Sequence, residues 1–150
     1  MTGLPTSNPV SSAPVKAPAS SQSLVLTQVD GAVGVLTLNH AEKRNALSRA
    51  MLTAIAEALS VFRNDKAVKV IVIAANGPVY SAGHDLKEFV GAPPEQTTAI
   101  LDQCTAVMES LRLMPKAVIA QVAGLASAAG CQLAASCDLV VAASTAQFQT

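Results

Sequence analysis

The run Ala117-Val118-Ile119-Ala120-Gln121-Val122, followed by Gly124-Leu125-Ala126-Ser127-Ala128-Ala129-Gly130-Cys131-Gln132-Leu133-Ala134-Ala135-Ser136-Cys137, decides how the chain is read. Its first part is short, apolar and rich in β-branched residues, the pattern of a buried strand. From Gly124 to Gly130 almost every residue is small, so the backbone can come close to a ligand or to another backbone. A strand-to-helix turn at this place leaves N–H groups with no partner inside the helix, and such groups favour negative charge.

Upstream, Val79-Tyr80-Ser81-Ala82-Gly83-His84-Asp85-Leu86-Lys87-Glu88-Phe89 repeats the arrangement. It follows a second apolar strand pattern, Val68 to Ala75, and runs through small residues into an expected helical segment. Two such turns, each offering one backbone N–H, can grip a single oxygen between them, the geometry of an oxyanion hole.

These two stretches, together with Cys137-Asp138, resemble the enoyl-CoA hydratase/isomerase (crotonase) superfamily over roughly Leu24 to Thr150. Within it they are most similar to the branch of enoyl-CoA hydratase domain-containing protein 3. Two spaced motifs in the right order carry far more than either alone. The resemblance implies an α/β fold, a crotonase-like spiral of repeated ββα units, of which the chain holds the N-terminal part only. It divides the chain into a disordered tail at 1–22 and the N-terminal portion of a crotonase-like domain at 23–150, with the domain continuing past Thr150.

The same resemblance implies an enzyme of acyl-CoA thioesters in fatty-acid metabolism. By position, the backbone N–H groups of His84 and Ala129 would stabilise an enolate oxygen. Ala82, Asp85 and Leu86 would hold the adenine end of coenzyme A, and Lys43 or Arg44 its phosphates. Coenzyme A is then part of the substrate, and no separate cofactor is implied. The family's pattern breaks at Gln132, where hydratases carry one of two glutamates. An amide exchanges no proton at neutral pH, so hydration by two carboxylates is in doubt. The partner glutamate would fall just past Thr150. The alternative reading is a catalytically weakened subunit that binds acyl-CoA. Homotrimers or hexamers are expected of the family.

Composition bounds these readings. Ten basic and ten acidic residues give zero net formal charge, without the basic excess of a nucleic-acid-binding chain. With 51% hydrophobic and 13% charged residues, the chain has apolar surface to be covered by partner subunits or by further chain. Residues 117–137 carry no charge and approach the length of a membrane span, yet their glutamines, serines and alanines fit a strand, a turn and a helix better. No Gly-x-Gly-x-x-Gly follows a strand, against a dinucleotide oxidoreductase. Cys104, Cys131 and Cys137 lie in apolar patterns rather than metal spacings, so buried reduced thiols are expected and no metal site. That fits a reducing compartment. Residues 1–22 lack both the apolar core of a signal peptide and the arginines of a transit sequence, pointing to the cytoplasm, with the mitochondrion as the alternative.

In order, Leu24–Val29 and Val33–Leu38 around Asp30-Gly31 read as a hairpin. The charged run His40 to Leu47 reads as a loop. Ser48 caps a helix with Leu52, Ile55, Leu59 and Phe62 on its core face. Val68 to Ala75 reads as a strand covered on both faces. Glu95 to Leu113 is an amphipathic helix with Ile100, Leu101, Cys104, Val107, Met108 and Leu111 on one side, closed by Pro115. Asp138 to Ala143 and Ala146 to Thr150 complete the strand patterns. Alternating strands and helices argue for parallel pairing. The bland readings stand beside the sharp ones: His84 offers only its N–H while its ring packs, Asp85 caps a turn, and Cys131 is packing rather than a nucleophile.

Overall fold

The computed structural model describes residues 23–150. The tail at 1–22 and its expected disorder lie outside the described residues. The described residues begin with a hairpin of β1 (Val25–Asp30) and β2 (Val33–Leu38), paired antiparallel with Asp30 opposite Val33. That pairing makes Gly31-Ala32 the two-residue turn, one position later than Asp30-Gly31 suggests.

Helix α1 (Arg49–Asn64) starts where Ser48 accepts a hydrogen bond from the Met51 N–H. Its buried face is Met51, Leu52, Ile55, Ala58, Leu59 and Phe62. A large apolar side chain contributes about 1.5–3 kcal/mol when fully buried, whereas an N-cap is worth about 1 kcal/mol. The stripe therefore holds the helix and the cap fixes its first residue. Lys116 Nζ donates to the Phe62 and Asp65 carbonyls, closing the other end.

After α1 the chain runs β3 (Val70–Ala75), β4 (Val79–Ser81), α2 (Pro94–Arg112), β5 (Ala117–Val122), β6 (Leu125–Ser127), α3 (Ala129–Ala135), β7 (Leu139–Ala142) and β8 (Gln147–Gln149). After α1, each successive strand pair places its first strand in one sheet and its second in another. The larger sheet has the order β1-β2-β3-β5-β7 and the smaller β4-β6-β8. All pairings beyond the hairpin are parallel. This is the ββα spiral of a crotonase fold, in its N-terminal part. The core joins Leu36, Leu38, Ile71, Ile73, Val118 and Ala120 of the large sheet to the apolar faces of α1, α2 and α3.

Four further expectations change. β3 alternates between fully and partly buried residues instead of being covered on both faces. Leu101 is exposed, because the stripe of α2 runs Ile100, Cys104, Val107 and Leu111, and Leu101 sits about 100° around the helix from it. The expected helix after Gly83 is a single 3-10 turn, Leu86–Glu88. The expected strand-to-helix turn after Val122 contains the extra strand β6, since the chain turns at Gly124 to pair with β4. A Cβ on Gly124 would lie 2.0 Å from the Pro78 carbonyl oxygen, which excludes any side chain at that crossing. No helix among the described residues is long and apolar enough to cross a membrane.

Candidate active site

The site lies where the ends of β4 and β6 meet the loop before α1. Asn45 anchors that loop. Fully buried and left-handed (φ 50°), it accepts a hydrogen bond from His40 N and donates to the carbonyls of Asn76 and Val79. A buried amide with its oxygen and nitrogen both engaged cannot turn without leaving partners unsatisfied. Arg44 and Leu47 then zip onto the β4 exit: Ala82 N donates to Arg44 O, and Leu47 N donates to Gly83 O. The sequence marks Asn45 only as one polar residue in a charged loop, and its anchoring role was not legible there.

From Ser81 at the end of β4 the chain passes Ala82 and Gly83 to His84. Gly83 has φ +88°, and a Cβ there would stand 3.0 Å from Ala128 Cβ and 3.2 Å from Ala129 N. The two small-residue turns thus touch each other. Ala128 adopts φ 48°, ψ −123°, a conformation that is costly for a residue with a Cβ, and its N–H is held by Gln149 O. Ala129 is the first residue of α3, so its N–H has no acceptor within the helix. Among the described residues, neither His84 N–H nor Ala129 N–H donates to a protein acceptor.

Asp85 Oδ1 accepts from Lys87 N and caps the 3-10 turn, the local role expected of it. The His84 ring meets Phe89 edge-on at 5.5 Å between centroids. Its Nδ1 is buried without a hydrogen-bond partner among the described residues.

Two cavities flank His84. The first, of about 460 Å³, is lined by Lys43 and Arg44 from the loop before α1, by Ala82, His84, Asp85 and Leu86, and by Ala128. It brings together all five residues singled out for coenzyme A. The second, of about 220 Å³, is lined by His84, Gln132 and residues of α2, among them Cys104, Glu109 and Arg112. Gln132 is thus separated from the first cavity and joined to the second. Glu109 and Arg112 carry no motif, and only folding brings these α2 residues to a cavity that Gln132 of α3 also lines.

Burial raises the Cys104 thiol and pushes Cys137 up to about 12, with Asp138 adding to the latter. Both stay protonated at neutral pH and serve as packing. All three cysteines are free, and no three His, Cys, Asp or Glu residues cluster among the described residues.

The sequence model of the family described as enoyl-CoA hydratase/isomerase matches residues 28–150. The chain belongs to the enoyl-CoA hydratase/isomerase family. A rat protein named enoyl-CoA hydratase domain-containing protein 3, mitochondrial, is 40% identical over 134 residues, which is 89% of this chain and 45% of that protein. The crystal structure of its human counterpart superposes with a TM-score of 0.82 at 39% identity, over 85% of this chain and 51% of that one. An enoyl-CoA hydratase from Mycobacterium smegmatis superposes at 0.80 with 46% identity, over 83% of this chain and 49% of that one. The chain spans about half the length of these relatives.

Proposed function

We propose that the protein acts on acyl-CoA thioesters, with the thioester oxygen held between the backbone N–H groups of His84 and Ala129. The observation that carries this is the contact of the two turns at Gly83 and Ala128, with both N–H groups lacking protein acceptors. Negative charge gathers on that oxygen as an enolate forms, and fixed donors stabilise it without reorganising. Side-chain identity matters little for a backbone donor, so alanine at 129 serves. The nucleotide half of coenzyme A lies in the first cavity, where Ala82, Asp85 and Leu86 contribute backbone groups and Lys43 and Arg44 offer positive charge to phosphate. The acyl half extends past His84 into the second cavity. The reaction belongs to fatty-acid metabolism and is of the isomerase or lyase type.

Gln132 weakens hydration, because its amide cannot act as the acid or base that water addition needs. The same residue favours a second reading, a subunit that binds acyl-CoA with reduced turnover. Uncovered apolar residues on β7 and β8, among them Leu139, Val141 and Phe148, support assembly into homotrimers or hexamers or cover by further chain. Relatives whose names carry the word mitochondrial favour that compartment over the cytoplasm.

The test is hydration of a short enoyl-CoA by the natural full-length protein and its Gln132→Glu variant, with binding measured separately. Slow wild-type turnover that rises by about 10²- to 10⁴-fold in the variant supports an impaired hydratase. Binding with no turnover in either supports the binding subunit. Wild-type turnover equal to that of a competent hydratase refutes the role given to Gln132.

A further inference from the structure

The second cavity contains a carboxylate that the Gln132 position does not supply. Glu109 of α2 lines this cavity together with His84 and Gln132, and it is the one acidic residue that does so. Arg112 follows one turn later on the same cavity, yet the one ion pair within 4.0 Å among the described residues is His40 with Glu42, so Glu109 is not tied to a cation. His84 lines both cavities and so stands between them. Its buried Nδ1 has no partner among the described residues, so it is free to meet a group that enters beside it.

We propose that Glu109 is the proton-carrying carboxylate of this site, delivered from α2 instead of from the position of Gln132. The inference rests on the acyl-CoA reading above. In the step it performs, the C–H bond on the carbon next to the thioester breaks and its proton forms an O–H bond with the Glu109 carboxylate. The electron pair moves onto the thioester oxygen, where the N–H groups of His84 and Ala129 meet it. The return of that pair takes the proton back, either to the same carbon or, in a chain with a neighbouring double bond, to the far end of the conjugated system. Nothing is oxidised and no water is consumed. Glu109 is exposed, so its proton exchanges with solvent between removal and return.

The experiment is α-proton exchange of butyryl-CoA in D₂O, followed by proton NMR with the natural full-length protein. The wild type should wash out the α-protons, and Glu109→Gln should slow this by about 10²- to 10⁴-fold while butyryl-CoA still binds. Glu109→Asp should keep part of the rate, and Gln132→Glu added to Glu109→Gln should restore part of it, because the new carboxylate enters the same cavity. A Glu109→Gln variant that exchanges at the wild-type rate overturns the proposal, as does a wild type that binds butyryl-CoA without exchanging it. A loss of exchange matched by an equal loss of binding also overturns it, since Glu109 would then be structural. A wild type that does not bind butyryl-CoA overturns the acyl-CoA reading itself.

Discussion

Gly83 and Ala129, forty-six positions apart in sequence, meet so closely that a side-chain carbon on Gly83 would lie 3.2 Å from the Ala129 amide nitrogen. This contact sets the spacing of the two N–H groups assigned to the substrate oxygen. A methyl group at Gly83 would also press on Ala128 Cβ and Ser127 O while holding φ at +88°. Gly83→Ala should therefore destabilise the fold by about 1–3 kcal/mol and weaken acyl-CoA binding by parting the turns. Urea unfolding and a binding titration check both halves, and unchanged binding would separate the contact from the site.

Ala128 makes the opposite prediction. Relief of its strained backbone is worth about 1–3 kcal/mol, less about 0.4–1 kcal/mol for the added freedom of glycine in the unfolded chain. Ala128→Gly should stabilise the protein by about 1 kcal/mol, read as a raised urea midpoint at unchanged slope. A lowered midpoint would mean that the Ala128 methyl group contributes packing that outweighs the strain.

For Asn45, truncation to alanine removes the bonds to His40 N, Asn76 O and Val79 O and leaves buried groups unsatisfied. Asn45→Ala should cost about 2–4 kcal/mol in unfolding and should raise the Kd for coenzyme A by loosening Lys43 and Arg44. Asn45→Asp keeps the acceptor and loses both donors, so it should be destabilised as well.

The large elements were legible because each carries its own periodic signal. The Leu52, Ile55, Leu59, Phe62 stripe of α1 and the apolar runs of β3 and β5 need no tertiary partner to be recognised. β4 and β6 are three residues each, too short for alternation to register, and they form because Gly124 lets the chain cross at Pro78. At the site, the residues around His84 and Ala129 stand in two contiguous motifs and could be named from sequence. Asn45 and Glu109 could not be named. Their meaning depends on what folding brings near them, the start of β4 for Asn45 and the cavity shared with Gln132 for Glu109.

Cys137 gives a pH dependence with a definite sign. Its folded thiol is raised from an ordinary value of 9.0 to about 12, chiefly by burial and then by Asp138. The unfolded thiol ionises first as pH rises, so the stability this group contributes is complete below about pH 9 and is lost between about 9 and 12. Tyr80, raised by burial and then by Cys137, adds a slope of the same sign. Cys137→Ala should flatten the loss of stability across that window relative to wild type. Parallel curves for the two proteins would show that the thiol is not held neutral.

The most direct measurement is the infrared carbonyl stretch of an acyl-CoA labelled with carbon-13 at the thioester carbon, bound to the full-length protein. Two N–H donors on one oxygen polarise the carbonyl, so the band should move to lower frequency on binding, and Ala129→Pro, which removes one donor, should return part of that shift. A tightly bound thioester whose carbonyl band stays at its solution frequency would contradict the assignment of His84 and Ala129 as its partners.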